Sequence, residues 1–114
     1  MRAAGLVATL ALCWAAALAA CGSAEPIDFG LPDGAHVVDQ HGLKFDPTEL
    51  TVDRLASVYF TNSESAFHTV TINGENESGE MERGDVFSFA FPEAGKYQIT
   101  CDFHPQMRAA ITVR

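Results

Sequence analysis

The sequence predicts an all-β fold, a Greek-key β-sandwich, set behind an N-terminal signal peptide and a short linker. Three observations point there. From Ala35 onward, short apolar runs alternate with period two. Glycine, proline, asparagine and aspartate separate them, as turns between strands require. No stretch after the first twenty residues has a helical period.

The leader comes first. Arg2 precedes an apolar run from Ala3 to Ala20 that only Gly5 and Thr9 interrupt. A run this short behind a positive residue predicts a signal peptide over 1–20 rather than a spanning helix. Its end, Leu18-Ala19-Ala20-Cys21, resembles a bacterial lipobox, in which small residues precede a cysteine that takes lipid and becomes the new N-terminus. Cys13 does not fit, because the large Leu12 stands before it. Two or more acyl chains on Cys21 would anchor firmly, at about 0.8 kcal/mol per buried CH₂. The expected location is therefore the extracytoplasmic face of the cell membrane, held by lipid. A periplasmic or secreted protein is the alternative if Cys21 is incidental.

Residues 21–34 hold Gly22, Gly30, Gly34, Pro26 and Pro32 and show no periodicity. They predict a lipid-anchored linker with a reach of roughly 20 Å if flexible; Ile27 and Phe29 could instead form an edge strand. The domain proper is expected over 35–114. Its strands are predicted at 35–39, 43–45, 49–53, 57–61, 68–73, 85–91, 96–101 and 109–113. The clearest is the run Val86 to Phe91, which sets Phe87, Phe89 and Phe91 on one face as core. Residues 73–85 are polar and glycine-rich and predict a long loop, with Glu75, Glu77, Glu80, Glu82 and Asp85 against Arg83 alone. Pro47 reads as a turn residue, and His36 and His41 as ordinary surface histidines.

Composition narrows the function. A chain of 114 residues has room for one domain. A formal charge of −8, which becomes −9 when Arg2 leaves with the leader, argues against nucleic-acid binding. The leader also inflates the 47% hydrophobic content. Three cysteines are too few for a disulfide scaffold. With Cys13 removed and Cys21 lipidated, Cys101 stays a single thiol in an oxidising compartment, where a thiol is normally buried or used.

The chemistry sits in Cys101, His104, Met107 and His68. Along 97–101, Tyr97, Ile99 and Cys101 share a face; along 68–72, so do His68, Val70 and Ile72. Phase alone puts a thiol and an imidazole where two core faces end. His104 and Met107 follow Cys101 at +3 and +6, so one short turn brings three side chains to a point. A thiolate, two imidazoles and a thioether form the trigonal Cys-His₂ set with a weak axial Met that suits copper in both oxidation states. Zinc would favour a harder or thiolate fourth ligand.

The pattern Cys101-x-x-His104-x-x-Met107 with His68 upstream resembles the plastocyanin-like cupredoxins, and its compact spacing most resembles the amicyanins. Pro105 after the second histidine fits. So do Phe45-x-Pro47-x-x-Leu50-x-Val52, Val58-x-Phe60-x-Asn62 and Gly95-Lys96-Tyr97. The likeness spans about 35–114. It implies a type 1 (blue) copper protein holding one Cu(I)/Cu(II) ion, with nitrogen from His68 and His104, sulfur from Cys101 and Met107 axial. It also implies an electron port at the edge of His104, ringed by Phe67, Phe103 and Pro105. Two departures stand out. Thr69 replaces the asparagine that usually follows the first histidine and ties the ligand loops together. Arg108-Ala109-Ala110 stands where a glycine commonly lies; Arg108 would raise the copper potential or contact a partner.

The leading expectation is a monomeric one-electron carrier that catalyses nothing itself and meets redox protein partners. The acidic loop resembles a docking surface for a basic partner, and a merely solvated loop is the plainer reading. The alternative is extracytoplasmic copper carriage or sequestration, which Cys-x-x-Cys or methionine clusters would favour; the mature chain has only Met81 and Met107. A metal-free binding module conflicts with the complete ligand set. A multicopper oxidase needs more histidines than the four present, and a dinuclear copper site needs a second neighbouring cysteine.

Overall fold

Nine strands appear in the computed structural model, which describes residues 25–114. In chain order they are β1 (His36–His41), β2 (Lys44–Asp46), β3 (Glu49–Val52), β4 (Ser57–Asn62), β5 (Thr71–Ile72), β6 (Glu75–Asn76), β7 (Val86–Ala90), β8 (Gly95–Thr100) and β9 (Arg108–Val113). They form two facing sheets, one ordered β2-β1-β4-β7 and the other β3-β9-β8-β5-β6. Two pairs are parallel, β1 with β4 and β3 with β9; the rest are antiparallel. Parallel neighbours need a crossover, and the chain supplies one by passing from β2 in the first sheet to β3 in the second. The all-β sandwich is the predicted one.

Alternation explains the core. Val38 and Gln40 on β1, Val58 and Phe60 on β4, Ile99 on β8, and Ile111 and Val113 on β9 point between the sheets. Phe45, Val52, Val70 and Phe91 complete a buried cluster, with Phe87, Phe89 and Tyr97 packed against it. Burial of each large apolar side chain contributes about 1.5–3 kcal/mol. Of the three aligned phenylalanines, only Phe91 is fully buried. Phe87 and Phe89 sit on β7, an edge strand, and keep part of each ring exposed.

Two expectations need correction. The strand expected over 68–73 is only Thr71–Ile72. Before it, the backbone of Val70 is satisfied from a loop: its N–H donates to Ser78 Oγ and its C=O accepts from Glu77 N–H. His68 instead forms an isolated antiparallel bridge with Met81. Correspondingly, the segment 73–85 is not all loop. It contains β6, which pairs with β5, and the bridging residue Met81. Sequence periodicity could not reveal this, because the partners of 68–70 are side chains and a loop.

Residues 25–34 form no strand, so the edge strand considered for Ile27 and Phe29 is absent. Ile27, Phe29 and Leu31 are nevertheless half-buried, and the Arg83 guanidinium donates to the Glu25 carbonyl. The leader and Cys21 lie outside the described residues.

The β1–β2 turn bears on the site. Gly42 and Leu43 both adopt positive φ, 61° and 57°, the mirror-image turn that matches strand twist in a two-residue hairpin. A leucine there costs about 1 kcal/mol or more. The Glu64 carboxylate offsets this by accepting the amides of both residues.

Candidate metal centre

Three of the four predicted donors converge at one end of the sandwich. Cys101 Sγ lies 3.8 Å from His68 Nδ1 and 3.6 Å from His104 Nδ1. All three donor atoms fall within 4.8 Å of one another, the only such group among the described residues. A metal about 2.3 Å from sulfur and about 2.0–2.1 Å from nitrogen separates those atoms by about 3.5 Å in tetrahedral and about 3.8 Å in trigonal geometry. The two Sγ–Nδ1 spacings span that interval, as donors to one ion require. Met107 is wholly buried at the turn leading into β9, and its N–H donates to the His104 carbonyl. That bond closes the short turn from Cys101. The donors are those of one copper ion: one thiolate, two imidazoles and a thioether.

The two histidines differ in exposure. His68 is fully buried, whereas His104 is partly exposed. Their rings meet edge-on with centroids 5.0 Å apart. Around His104, Phe67 and Phe103 are about half exposed, Phe103 lies edge-on to His104, and Pro105 is exposed.

Behind His68 stands a residue that sequence reasoning missed. Glu64 Oε1 lies 2.6 Å from His68 Nε2. A carboxylate can only accept here, so Nε2 carries the proton and Nδ1 keeps its lone pair for the metal. The same carboxylate holds the β1–β2 turn, so it braces the ligand against a second element. Asn62, also fully buried, donates through Nδ2 to the carbonyls of Ala66 and Met81, and its Oδ1 accepts from Glu64 N–H. The only sequence signal for Glu64 was an acid four residues before the histidine.

Thr69 does tie the ligand loops together. Its Oγ1 accepts the N–H of Asp102, the residue after Cys101, at 2.9 Å. Thr71 Oγ1 donates to Asp102 Oδ1 at 2.7 Å, so the Thr69 hydroxyl is left to donate to Thr71 at 2.9 Å. Asn76 Nδ2 donates to Asp102 Oδ2. Two hydroxyls and one carboxylate thus join the segment after His68 to the residue after Cys101. Arg108 is exposed at the start of β9 and lines a hollow with Glu49, Lys96 and Gln98.

Away from the donors, burial pushes the Asp39 carboxyl pKa upward, but hydrogen bonds from Ser63, Thr61 and His41 outweigh it and hold the group below the ordinary 3.8. His41 also faces Asp46 at 3.7 Å, so it is a paired surface histidine.

Comparison with known proteins agrees with this geometry. The chain matches the family model described as a cupredoxin-like domain over residues 4–113. Amicyanin from Paracoccus denitrificans is 34% identical over 87 residues, covering 71% of this chain and 66% of that protein. Amicyanin from Paracoccus versutus is 35% identical over 89 residues, covering 73% and 67%. The chain thus spans about two thirds of the length of these relatives. The crystal structure of the P. versutus protein superposes with a TM-score of 0.70 at 29% identity, covering 79% of this chain and 92% of that one. A variant amicyanin in its Cu(I) form gives 0.69 at 33% identity, covering 81% and 94%. Fold, donor set and sequence likeness agree: the chain belongs to the cupredoxin-like domain family, as an amicyanin-like member.

Proposed function

We propose that this protein is a one-electron carrier, not an enzyme, working at the extracytoplasmic face of the cell membrane. His68, Cys101 and His104 would hold one copper ion, with Met107 as the fourth and weakest donor. The ion would supply the Cu(I)/Cu(II) couple; the protein supplies a cradle that suits both states. The observation that carries this reading is the Nδ1–Sγ–Nδ1 cluster, with both imidazole nitrogens within 3.8 Å of the sulfur and the His68 side braced by Glu64, Met81 and Thr69. Little then moves when charge changes. The partly exposed His104, among Phe67, Phe103 and Pro105, is the electron port in this reading. A monomer tethered through lipid on Cys21 would leave that face free for redox partners. The exposed Glu75, Glu77, Glu80 and Glu82 favour a partner with a basic surface.

The test is Cu(II) loading of residues 22–114, followed by visible spectroscopy and voltammetry. An intense thiolate-to-copper band and a reversible couple are expected, and Cys101→Ser should abolish both. A colourless protein that retains only Cu(I) and passes it to a chelator would replace this reading with copper carriage. Anchoring is tested separately: Cys21→Ser should move the full-length protein from the membrane fraction to the soluble one. If the acidic residues steer docking, partner reduction slows steeply with salt.

A further inference from the structure

Gln40 occupies a core position that a hydrophobe would fill more cheaply. It follows Val38 in phase on β1, is fully buried, and lies in register with Phe45 on β2 and Asn62 on β4. Its Nε2 donates to the Thr61 carbonyl at 3.3 Å and to Met81 Sδ at 3.5 Å. Both partners only accept, so the amide orientation is fixed. Its Oε1 is left buried with no donor, the one such side-chain atom among the described residues. An orphaned acceptor bears its full desolvation penalty, which a leucine would not. Stability alone therefore does not account for a glutamine here.

The grip on Met81 does account for it. Met81 is buried, and its backbone is the bridge partner of His68: His68 N–H donates to Met81 O at 3.1 Å, and Met81 N–H donates to His68 O at 2.7 Å. Met81 otherwise belongs to a loop bounded by Gly79 and Gly84, both at positive φ, which offers no ladder of its own. The far end of this loop is tied to β4, where Gly84 N–H donates to Asn62 O and Asn62 N–H to Asp85 O; the Met81 side chain itself needs its own hold if the bridge is to fix a ligand. Asn62 fastens its carbonyl, and Gln40 fastens its side chain.

We propose that Gln40 is a positioning residue for the His68 ligand, acting through the Met81 thioether and giving up fold stability to do so. This rests on the copper reading for its spectroscopic consequence but not for its structural one.

The experiment uses two variants, Gln40→Leu and Met81→Leu, each close in volume to the residue it replaces. In the metal-free proteins, amide hydrogen exchange at His68 and Met81 should accelerate at least tenfold in both. The β8 and β9 amides should keep their rates, and the melting temperature of Gln40→Leu should not fall. After Cu(II) loading, both variants should show a displaced thiolate-to-copper band and faster copper release. Unchanged exchange at His68 and Met81 would overturn the proposal. So would acceleration shared by β8 and β9, which means general loosening, or acceleration in Gln40→Leu without it in Met81→Leu, which would exclude the sulfur route. Absence of the band in the unmutated protein would instead sink the copper reading and leave the exchange result standing.

Discussion

The two arms of the metal cradle are built in different ways. The arm from Cys101 to Met107 is local: seven residues, one turn, one backbone bond from Met107 to His104, and three donors at fixed spacing. The His68 arm is assembled from a distance. Its histidine is held by Glu64, bridged by Met81, shelved on Asn62, and tied through Thr69 to the residue after Cys101. The local arm leaves its histidine partly exposed, and the remote arm buries its own. One arm turns its histidine partly toward solvent, and the other fixes its own inside the fold.

The largest effect that sharpens this contrast is ligand replacement. His104→Gly and His68→Gly should each lose the thiolate-to-copper band. Added imidazole should restore it in His104→Gly, whose gap opens toward solvent, and not in His68→Gly, whose gap is sealed. Equal rescue, read by visible spectroscopy, would break the contrast. Next in size is Glu64→Ala. Loss of the carboxylate removes the acceptor for His68 Nε2 and frees the β1–β2 turn, and copper affinity should fall by about 10–100-fold in competition with a chelator. Thr69→Val tests the seam between the arms. It leaves the Asp102 N–H without its partner, so denaturant unfolding should show a loss of about 1–3 kcal/mol, and Thr69→Asn should recover most of it.

Smaller effects are expected further from the donors. Asp39 is more acidic in the folded chain than its ordinary value, so its charged form stabilises the fold. That stabilisation is complete above about pH 4 and is lost as the pH falls through the lower folded value. Asp39→Asn should therefore melt earlier at pH 7, with the gap to the parent closing on acidification. Arg108→Gln should move the copper potential least. Its charge is exposed and screened, whereas the Glu64 carboxylate touches a ligand. Voltammetry giving Arg108→Gln the larger shift would reverse that ranking.

The contrast also explains what could be read from the chain. Spacing revealed the local arm, because its geometry is set by a few consecutive residues. His68 was found by strand phase, although the strand itself shrinks to Thr71–Ile72 and the residues before it are held by Ser78, Glu77 and Met81. Phase still worked: His68 is buried like Val70 and Ile72 and is paired in the bridge with Met81. Asn62 stood in the resemblance only as the end of a strand pattern, and Glu64, Asp102 and Gln40 showed no pattern of their own. Each makes a hydrogen bond whose partner is distant in sequence, beside the short reaches of Glu64 to His68 and of Asn62 to Ala66 and Glu64.

The sequence by itself determined the sandwich, the donor identities and the order in which they arrive. Alternation selects strands, and a thiolate, two imidazoles and a thioether select copper, whatever the path between them. Only the tertiary structure decided which groups hold those donors still. Directed hydrogen bonds depend on which atoms meet across the sheets, and residues as far apart as Thr69 and Asp102, or Gln40 and Met81, meet only once the chain has folded.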